Sequence, residues 1–287
     1  MAGTPRIPLL DGTALPQIGF GTFNIHPDHQ PTRANNAATA RAVATALDVG
    51  YRHIDTAQMY GNEQGVGEAI GVSGLPRQEL YVASKLGNDN HRPEDVRRSF
   101  GDTLARLGLE QLDLFLMHWP LPSRYGGDYV STWDAMGSLV DDGRLRTAGV
   151  SNFQPAHLER IIGATGRVPA VNQIEVHPYF ANRTARQASQ RHGVVVVAWS
   201  PLGQGSLLLD PLLGRIAAVH GRTVAQIVLR WHCQHGHGVI PKSAHRQRMQ
   251  DNLDLFGFEL SDEEMAAIDG LDRGEAGRIG PHPDTWA

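Results

Sequence analysis

Leu80-Tyr81-Val82-Ala83, a helix-like stretch over about 93–107, and Leu112-Asp113-Leu114-Phe115-Leu116-Met117 follow one another in the chain. Two short apolar runs separated by a helical stretch read as strands buried on both faces of a parallel sheet. Further runs lie at Arg52-His53-Ile54, Thr147-Ala148-Gly149-Val150, Val171-Asn172-Gln173-Ile174, Val194 to Ala198 and Gly238-Val239-Ile240. Between them, helix-like stretches fall at about 34–49, 62–72, 130–142, 155–163, 183–192 and 245–252. With Gly19-Phe20-Gly21 the strands number eight, enough to close a parallel barrel. The competing architecture is an open doubly wound sheet.

Before the first of these strands, Ile7-Pro8-Leu9-Leu10 and Leu15-Pro16-Gln17-Ile18 flank the turn dipeptide Asp11-Gly12, which predicts a β-hairpin. Stretches at about 222–235 and 261–270 read as two extra helices outside the repeat. No linker rich in Pro, Gly or Ser divides the chain. The expected fold is therefore α/β, a single (β/α)8 TIM barrel domain over 1–287 with an N-terminal β-hairpin.

A length of 287 residues suits one barrel, and 41% hydrophobic with 20% charged residues excludes disorder and collagen-like repeats. The 26 Lys and Arg against 30 Asp and Glu give a net charge of −4 with no basic block, so no nucleic-acid partner is expected. The sole cysteine, Cys233, and the lack of a basic-then-apolar leader point to a cytoplasmic protein. Runs such as Val194 to Trp199 fall far short of the roughly 18 apolar residues needed to cross a membrane.

Active sites of parallel barrels collect in the loops after the C-terminal ends of the strands. The polar residues there are Asp55, Lys85, His118, Ser151-Asn152, Gln173 and Glu175, Trp199-Ser200 and Lys242-Ser243. Tyr60 sits in the loop after Asp55, within Gly50-Tyr51-Arg52-His53-Ile54-Asp55-Thr56-Ala57-Gln58-Met59-Tyr60-Gly61-Asn62-Glu63. A phenol would be a proton donor at neutral pH, and the Lys85 ammonium beside it should lower its pKa toward the working range of a general acid. Asp55 would hold Lys85, and His118 would donate a hydrogen bond to a carbonyl oxygen gaining negative charge. Singly, each residue has an ordinary structural explanation. Four together at three adjacent strand ends suit reduction of a carbonyl.

The chain resembles the aldo-keto reductases, and most of all the bacterial 2,5-diketo-D-gluconate reductases, over essentially its whole length. The segments that carry the resemblance are Gly50 to Glu63, Leu112 to Pro120, Gly149 to Phe153, Pro169 to Glu175, Ala198 to Gly203 and Ile240 to Ser243. The resemblance implies NADPH (NADP+) as cofactor and a catalytic set of Asp55, Tyr60, Lys85 and His118. It implies that Ser151, Asn152 and Gln173 hold the nicotinamide carboxamide, that Trp199 stacks on the ring, and that Ser200 and Leu202 also contact the cofactor. Lys242, Ser243 and Arg248 match the residues that grip the adenosine 2′-phosphate, and Asp251 and Asn252 those at the adenine.

Phe23 and Trp119 match substrate-pocket walls, with His282 and Trp286 of the tail as further candidates. The chain departs from its relatives at Gly87, where many carry Trp; either the missing indole leaves the pocket open, or Gly87 takes a positive φ and the neighbouring loop fills the space.

No Gly-x-Gly-x-x-Gly fingerprint supports a Rossmann alternative, since Gly65-Val66-Gly67-Glu68-Ala69-Ile70 lacks the third glycine. The cluster His232-Cys233-Gln234-His235-Gly236-His237 lies away from the expected site with no evident carboxylate partner, so no metal is expected. The expected protein is a monomeric reductase of a small-molecule carbonyl substrate. The alternatives are a nicotinamide-sensing regulatory module with little turnover and a metal-dependent barrel hydrolase.

Overall fold

Strands buried on both faces must divide their side chains between two cores, and the sixth strand shows how. In the computed structural model, which describes residues 4–286, Leu114 and Leu116 belong to one apolar cluster while Phe115 and Met117, on the other face, belong to another. The first cluster fills the barrel interior; the second lies between the strands and the helices around them. Apolar residues on both faces explain the continuous runs seen in the sequence.

The chain opens with β1 (Arg6–Pro8) and β2 (Ala14–Pro16), an antiparallel hairpin in which Ile7 faces Leu15. It continues through β3 (Phe20–Gly21), α1 (Arg33–Val49), β4 (His53–Asp55), α2 (Glu63–Val72), β5 (Tyr81–Leu86) and α3 (Pro93–Leu107). Next come β6 (Leu112–Met117), α4 (Val130–Asp141), β7 (Leu145–Ser151), α5 (Pro155–Thr165), β8 (Val171–Glu175), α6 (Arg183–Arg191) and β9 (Val195–Trp199). The last elements are α7 (Pro211–His220), α8 (Val224–Gln234), β10 (Gly238–Val239), α9 (Arg246–Leu253) and α10 (Asp262–Asp269).

Strands β3 to β10 pair in parallel, each with its neighbour in the chain. The ring closes between its ends: the Val239 amide donates to Gln17 O at 2.9 Å, and the Gly19 amide to Val239 O at 2.8 Å. This is a (β/α)8 barrel, not an open sheet. The hairpin seals its floor, where Leu9 and Leu15 join Tyr81, Leu114 and Val171 in the inner core.

The extra helices number two, as expected, but one is not the stretch predicted. The segment expected near 222–235 is α8, which lies between β9 and β10 in the repeat and buries Ile227, Val228, Leu229 and Trp231. The true additions are α10 and α7. Helix α7 starts at Asp210, whose Oδ1 accepts from the Leu212 and Leu213 amides at 2.8 and 3.2 Å, with Pro211 in the first turn.

At the opposite end from the strand-end loops, Asp113 is the one polar residue of β6. Its Oδ2 accepts from the Val82 amide at 2.9 Å and from Arg77 at 2.6 Å, and its Oδ1 lies 3.3 Å from Arg146. Asp113→Ala would leave the buried Val82 amide unpaired and should cost about 2 kcal/mol. Urea unfolding should show a lower midpoint, while activity per folded molecule stays at the wild-type level. An unchanged midpoint would show that the pairing is not stabilising.

Candidate active site

Lys85 is the last but one residue of β5 and faces inward, with its neighbours Ser84 and Leu86 turned outward by strand alternation; Ser84 bonds Glu63 of α2 at 2.6 Å. Its side chain is fully buried. The ammonium donates to Asp55 Oδ1 at 2.5 Å and to Thr56 O at 2.9 Å. The other Asp55 oxygen accepts from Gln173 Nε2 at 2.8 Å, a bond that crosses the barrel from β8 to β4.

The loop after Asp55 is held in place by its own polar groups. Thr56 Oγ1 donates to Asn62 Oδ1 at 2.7 Å, and Asn62 Nδ2 to Thr22 O at 3.0 Å. Asn62 precedes α2, but its side chain is engaged in this way and does not cap the helix. Gly61 has a φ of 63°, and a Cβ there would lie 2.2 Å from His29 O, so only glycine fits between the loop and residue 29. The short turn Gln58–Tyr60 is thereby aimed over the barrel mouth.

Tyr60 is buried with the Lys85 ammonium 4.9 Å from its ring centre, and its ring lies 5.7 Å from that of His118. The expected lowering of its pKa does not occur. Burial raises it, the Lys85 charge and hydrogen bond pull it down only in part, Asp55 pushes it up again, and the net direction is upward. For Lys85, burial works against the ammonium, but Asp55 and Tyr60 outweigh it and its pKa is raised. Burial, helped by the charges of Lys85 and His91, holds His118 well below the ordinary imidazole value, so it is neutral at pH 7. Its Nδ1 is buried without a hydrogen-bond partner.

Beside this centre, Ser151, Asn152 and Gln173 are buried at adjacent strand ends. Ser151 Oγ donates to Gln173 O at 2.7 Å, and Asn152, at a φ of 65°, donates from Nδ2 to His118 O at 2.9 Å. Trp199 is half-buried, and its indole N–H donates to Asn152 Oδ1 at 2.9 Å. Ser200 and Leu202 are also half-buried along the loop that follows.

Around the start of α9, Lys242 and Arg248 are exposed and Ser243 is buried, its Oγ accepting from the His245 amide at 3.0 Å. Arg246 is tied to Asp48 at 2.6 Å, whereas Arg248 forms no ion pair among the described residues. Asp251 accepts from Gln247 at 2.9 Å. Asn252 is buried.

Of the expected pocket residues, Phe23 packs 5.0 Å from the Tyr60 ring and stacks on His29, which sequence reasoning missed. Trp119 lies beside His118, with the Trp286 ring 5.5 Å away. Gln58 was also missed: Nε2 donates to Ser99 O and Thr103 Oγ1, both at 3.0 Å, while Oε1 accepts from the Gly87 amide at 2.7 Å and from Asn90 at 3.0 Å. A loop glutamine carries no signal in the sequence for such a bracket. The His232–His237 cluster does have a carboxylate neighbour, since His235 Nε2 lies 2.9 Å from Asp269. No group of three or more metal-ligating side chains suited to an ion occurs among the described residues.

A family model for the aldo/keto reductase family matches residues 17–273. An aldo-keto reductase of Mycobacterium sp. (strain JLS) is 46% identical over 284 residues, covering 99% of this chain and 98% of the relative. The morphine 6-dehydrogenase of Pseudomonas putida is 42% identical over 298 aligned residues, covering 99% of this chain and 96% of that protein. The crystal structure of a Gox0644 mutant in complex with NADPH superposes with a TM-score of 0.91 at 42% identity, covering 99% of each chain. The chain belongs to the aldo/keto reductase family.

Beside Gly87 the side chains of Gln58 and Asn90 stand close to the backbone. Gly87 has an ordinary φ, but a Cβ would come within 3.1 Å of Gln58 Oε1 and 3.3 Å of Asn90 Nδ2. Gln58 is bonded at both ends and lies two residues before Tyr60, so a large side chain at 87 would press on that turn. Gly87→Trp should therefore lower kcat/KM for small and bulky carbonyls alike. A rise in KM confined to bulky ketones would instead show an open pocket at this position.

Proposed function

We propose that this protein reduces the carbonyl of a small aldehyde or ketone to the alcohol, with Tyr60 as general acid and NADPH as the hydride source. Membership of the family makes the chain an NADP(H)-dependent oxidoreductase. The observation that carries the finer reading is the burial of Tyr60 between the Lys85 ammonium and the neutral His118 imidazole. A sensing module would have no use for a complete proton-transfer set, and nothing in the geometry favours one.

When bound, NADPH supplies the hydride that the carbonyl carbon accepts. The residues present suit it. Ser151, Asn152 and Gln173 offer the mixed donors and acceptors that a carboxamide needs. Trp199 offers a flat face beside them. Arg248 in the first turn of α9 and Lys242 just before that helix are exposed cations without an ion pair among the described residues, where a phosphate is favoured. That the similar Gox0644 mutant is in complex with NADPH supports the choice of cofactor.

His118, being neutral, donates an N–H to the carbonyl oxygen and draws the substrate toward Tyr60. As that oxygen gains charge, Tyr60 Oη gives up its proton. The phenolate left behind faces the Lys85 ammonium, which Asp55 holds in place. A pKa raised by burial keeps Tyr60 protonated through neutral pH, so the acid is always loaded. The Lys85 charge then acts on the phenolate as it forms.

Tyr60→Phe removes the proton and keeps the ring volume; the hydride step should slow by about 10²–10⁴ while NADPH affinity stays near wild type. In the wild type, reduction should be flat through neutral pH and decline only above the ordinary phenol value of about 10. Full activity in the mutant, or a decline near neutrality assigned to Tyr60, would remove it as the acid.

Cofactor choice is tested at Arg248. Losing one charge-assisted bond to phosphate costs roughly 1.5–3 kcal/mol, so Arg248→Ala should weaken NADPH by about ten- to hundred-fold. NADH affinity should hardly change. Equal losses for both cofactors would place Arg248 outside the phosphate site.

A further inference from the structure

Glu175 is the last residue of β8, two positions beyond Gln173 and so on the same face of the strand. Its carboxylate is almost fully buried, yet the chemistry above leaves it unused. Both oxygens are taken by the far end of the chain. Oε1 accepts from the Ile279 amide at 2.6 Å, and Oε2 from the Gly280 amide at 2.9 Å. The buried His177 ring steadies this arrangement, with Nε2 3.0 Å from Oε1.

The clamped segment runs directly against the cofactor side of the mouth. A Cβ on Gly280 would lie 2.5 Å from Trp199 Cη2 and 3.0 Å from Glu175 Oε2, so the backbone is wedged between the carboxylate and the indole. Beyond it, Asp284 Oδ1 reaches His157 Nε2 of α5 at 3.3 Å. A turn in which the Thr285 and Trp286 amides donate to His282 O then brings Trp286 onto Trp119. The strap thus crosses from the ends of β8 and β9 to the end of β6, touching Trp199 at one end and Trp119 at the other.

We infer that Glu175 is a positioning residue of the substrate pocket: by gripping two successive backbone amides it fixes the C-terminal strap so that Trp286 walls the pocket beside Trp119. Two N–H groups converging on two oxygens require an acceptor at both, and a carboxylate is the side chain that offers this. Glutamine would set an NH2 donor against one of the amides. The inference rests on the carbonyl-reductase reading for its kinetic consequence, but not for the clamp itself.

The test is Glu175→Gln in the full chain and in a chain ending at residue 278, with hydrogen exchange and steady-state kinetics on both. Losing one bond to a charged acceptor should speed exchange of the Ile279 and Gly280 amides roughly tenfold or more in the full chain. With NADPH saturating, KM for naphthaldehyde should rise by about the same factor, while kcat and the KM for glyoxal change less than about threefold. In the shortened chain the substitution should add nothing. Unchanged exchange would overturn the clamp, and an equal KM loss with and without the strap would show that Glu175 acts on the barrel instead.

If the shortened chain does not fold, Gly280→Ala displaces the strap from its other side. It should reproduce the naphthaldehyde effect with Glu175 intact, and a wild-type KM there would overturn the inference. A protein that reduces neither aldehyde would refute the proposed function, and the exchange result would still decide the clamp.

Discussion

An ammonium group in a protein interior must be paired, and the barrel pairs Lys85 only by bringing neighbouring strands into one register. Asp55 stands opposite Ala83 in the pairing of β4 with β5, two residues below Lys85 on the same inward face. A slip of one residue would turn Lys85 toward the helices and strand its charge. Removing one partner of such a pair is far more damaging than never having built it, because the other charge stays buried. The pair is extended by Gln173, which reaches Asp55 from across the barrel. The amide expected to serve the cofactor therefore also braces the proton-transfer group.

Stability and chemistry are placed at opposite ends of the strands. At the floor, Asp113 gathers Arg77 and Arg146, the hairpin inserts Leu9 and Leu15, and Asp11 Oδ2 accepts from Thr147 at 2.6 Å. At the mouth, Asp55, Lys85, Ser151, Gln173 and Glu175 bring polar side chains to the strand ends. Groups whose protonation matters are thus held by strands, the stiffest elements available, and depend little on loop conformation. His118 comes directly after β6 and Tyr60 lies further off, in the loop after β4, where the Thr56–Asn62–Thr22 bonds supply rigidity.

What was legible in the sequence follows the same division. The strands could be read because burial on both faces leaves unbroken apolar runs, and the reactive set because it ends those runs. Helix α7 is not among the stretches read from the sequence, although Asp210-Pro211 is a proper helix start. The direction of the Tyr60 pKa could not be read: proximity to Lys85 is implied by strand order, but the degree of burial that outweighs it is set only by packing. The grip of Gln58 on Gly87 was equally hidden, because it joins a side chain to a backbone amide and leaves no pattern of residue types.

Substrate choice is the least legible property because its walls come from segments far apart in the chain. Phe23 follows β3, Trp119 follows β6, and Trp286 arrives from the last residues of the chain. None lies on a strand, so each is as well placed as the loop or tail that carries it. The reacting groups, by contrast, are bonded to one another within the barrel and keep their geometry whatever the walls do. A chain built this way can change the carbonyl compounds it accepts through contacts such as that of Glu175 with the backbone of residues 279 and 280, without disturbing the centre that transfers the proton.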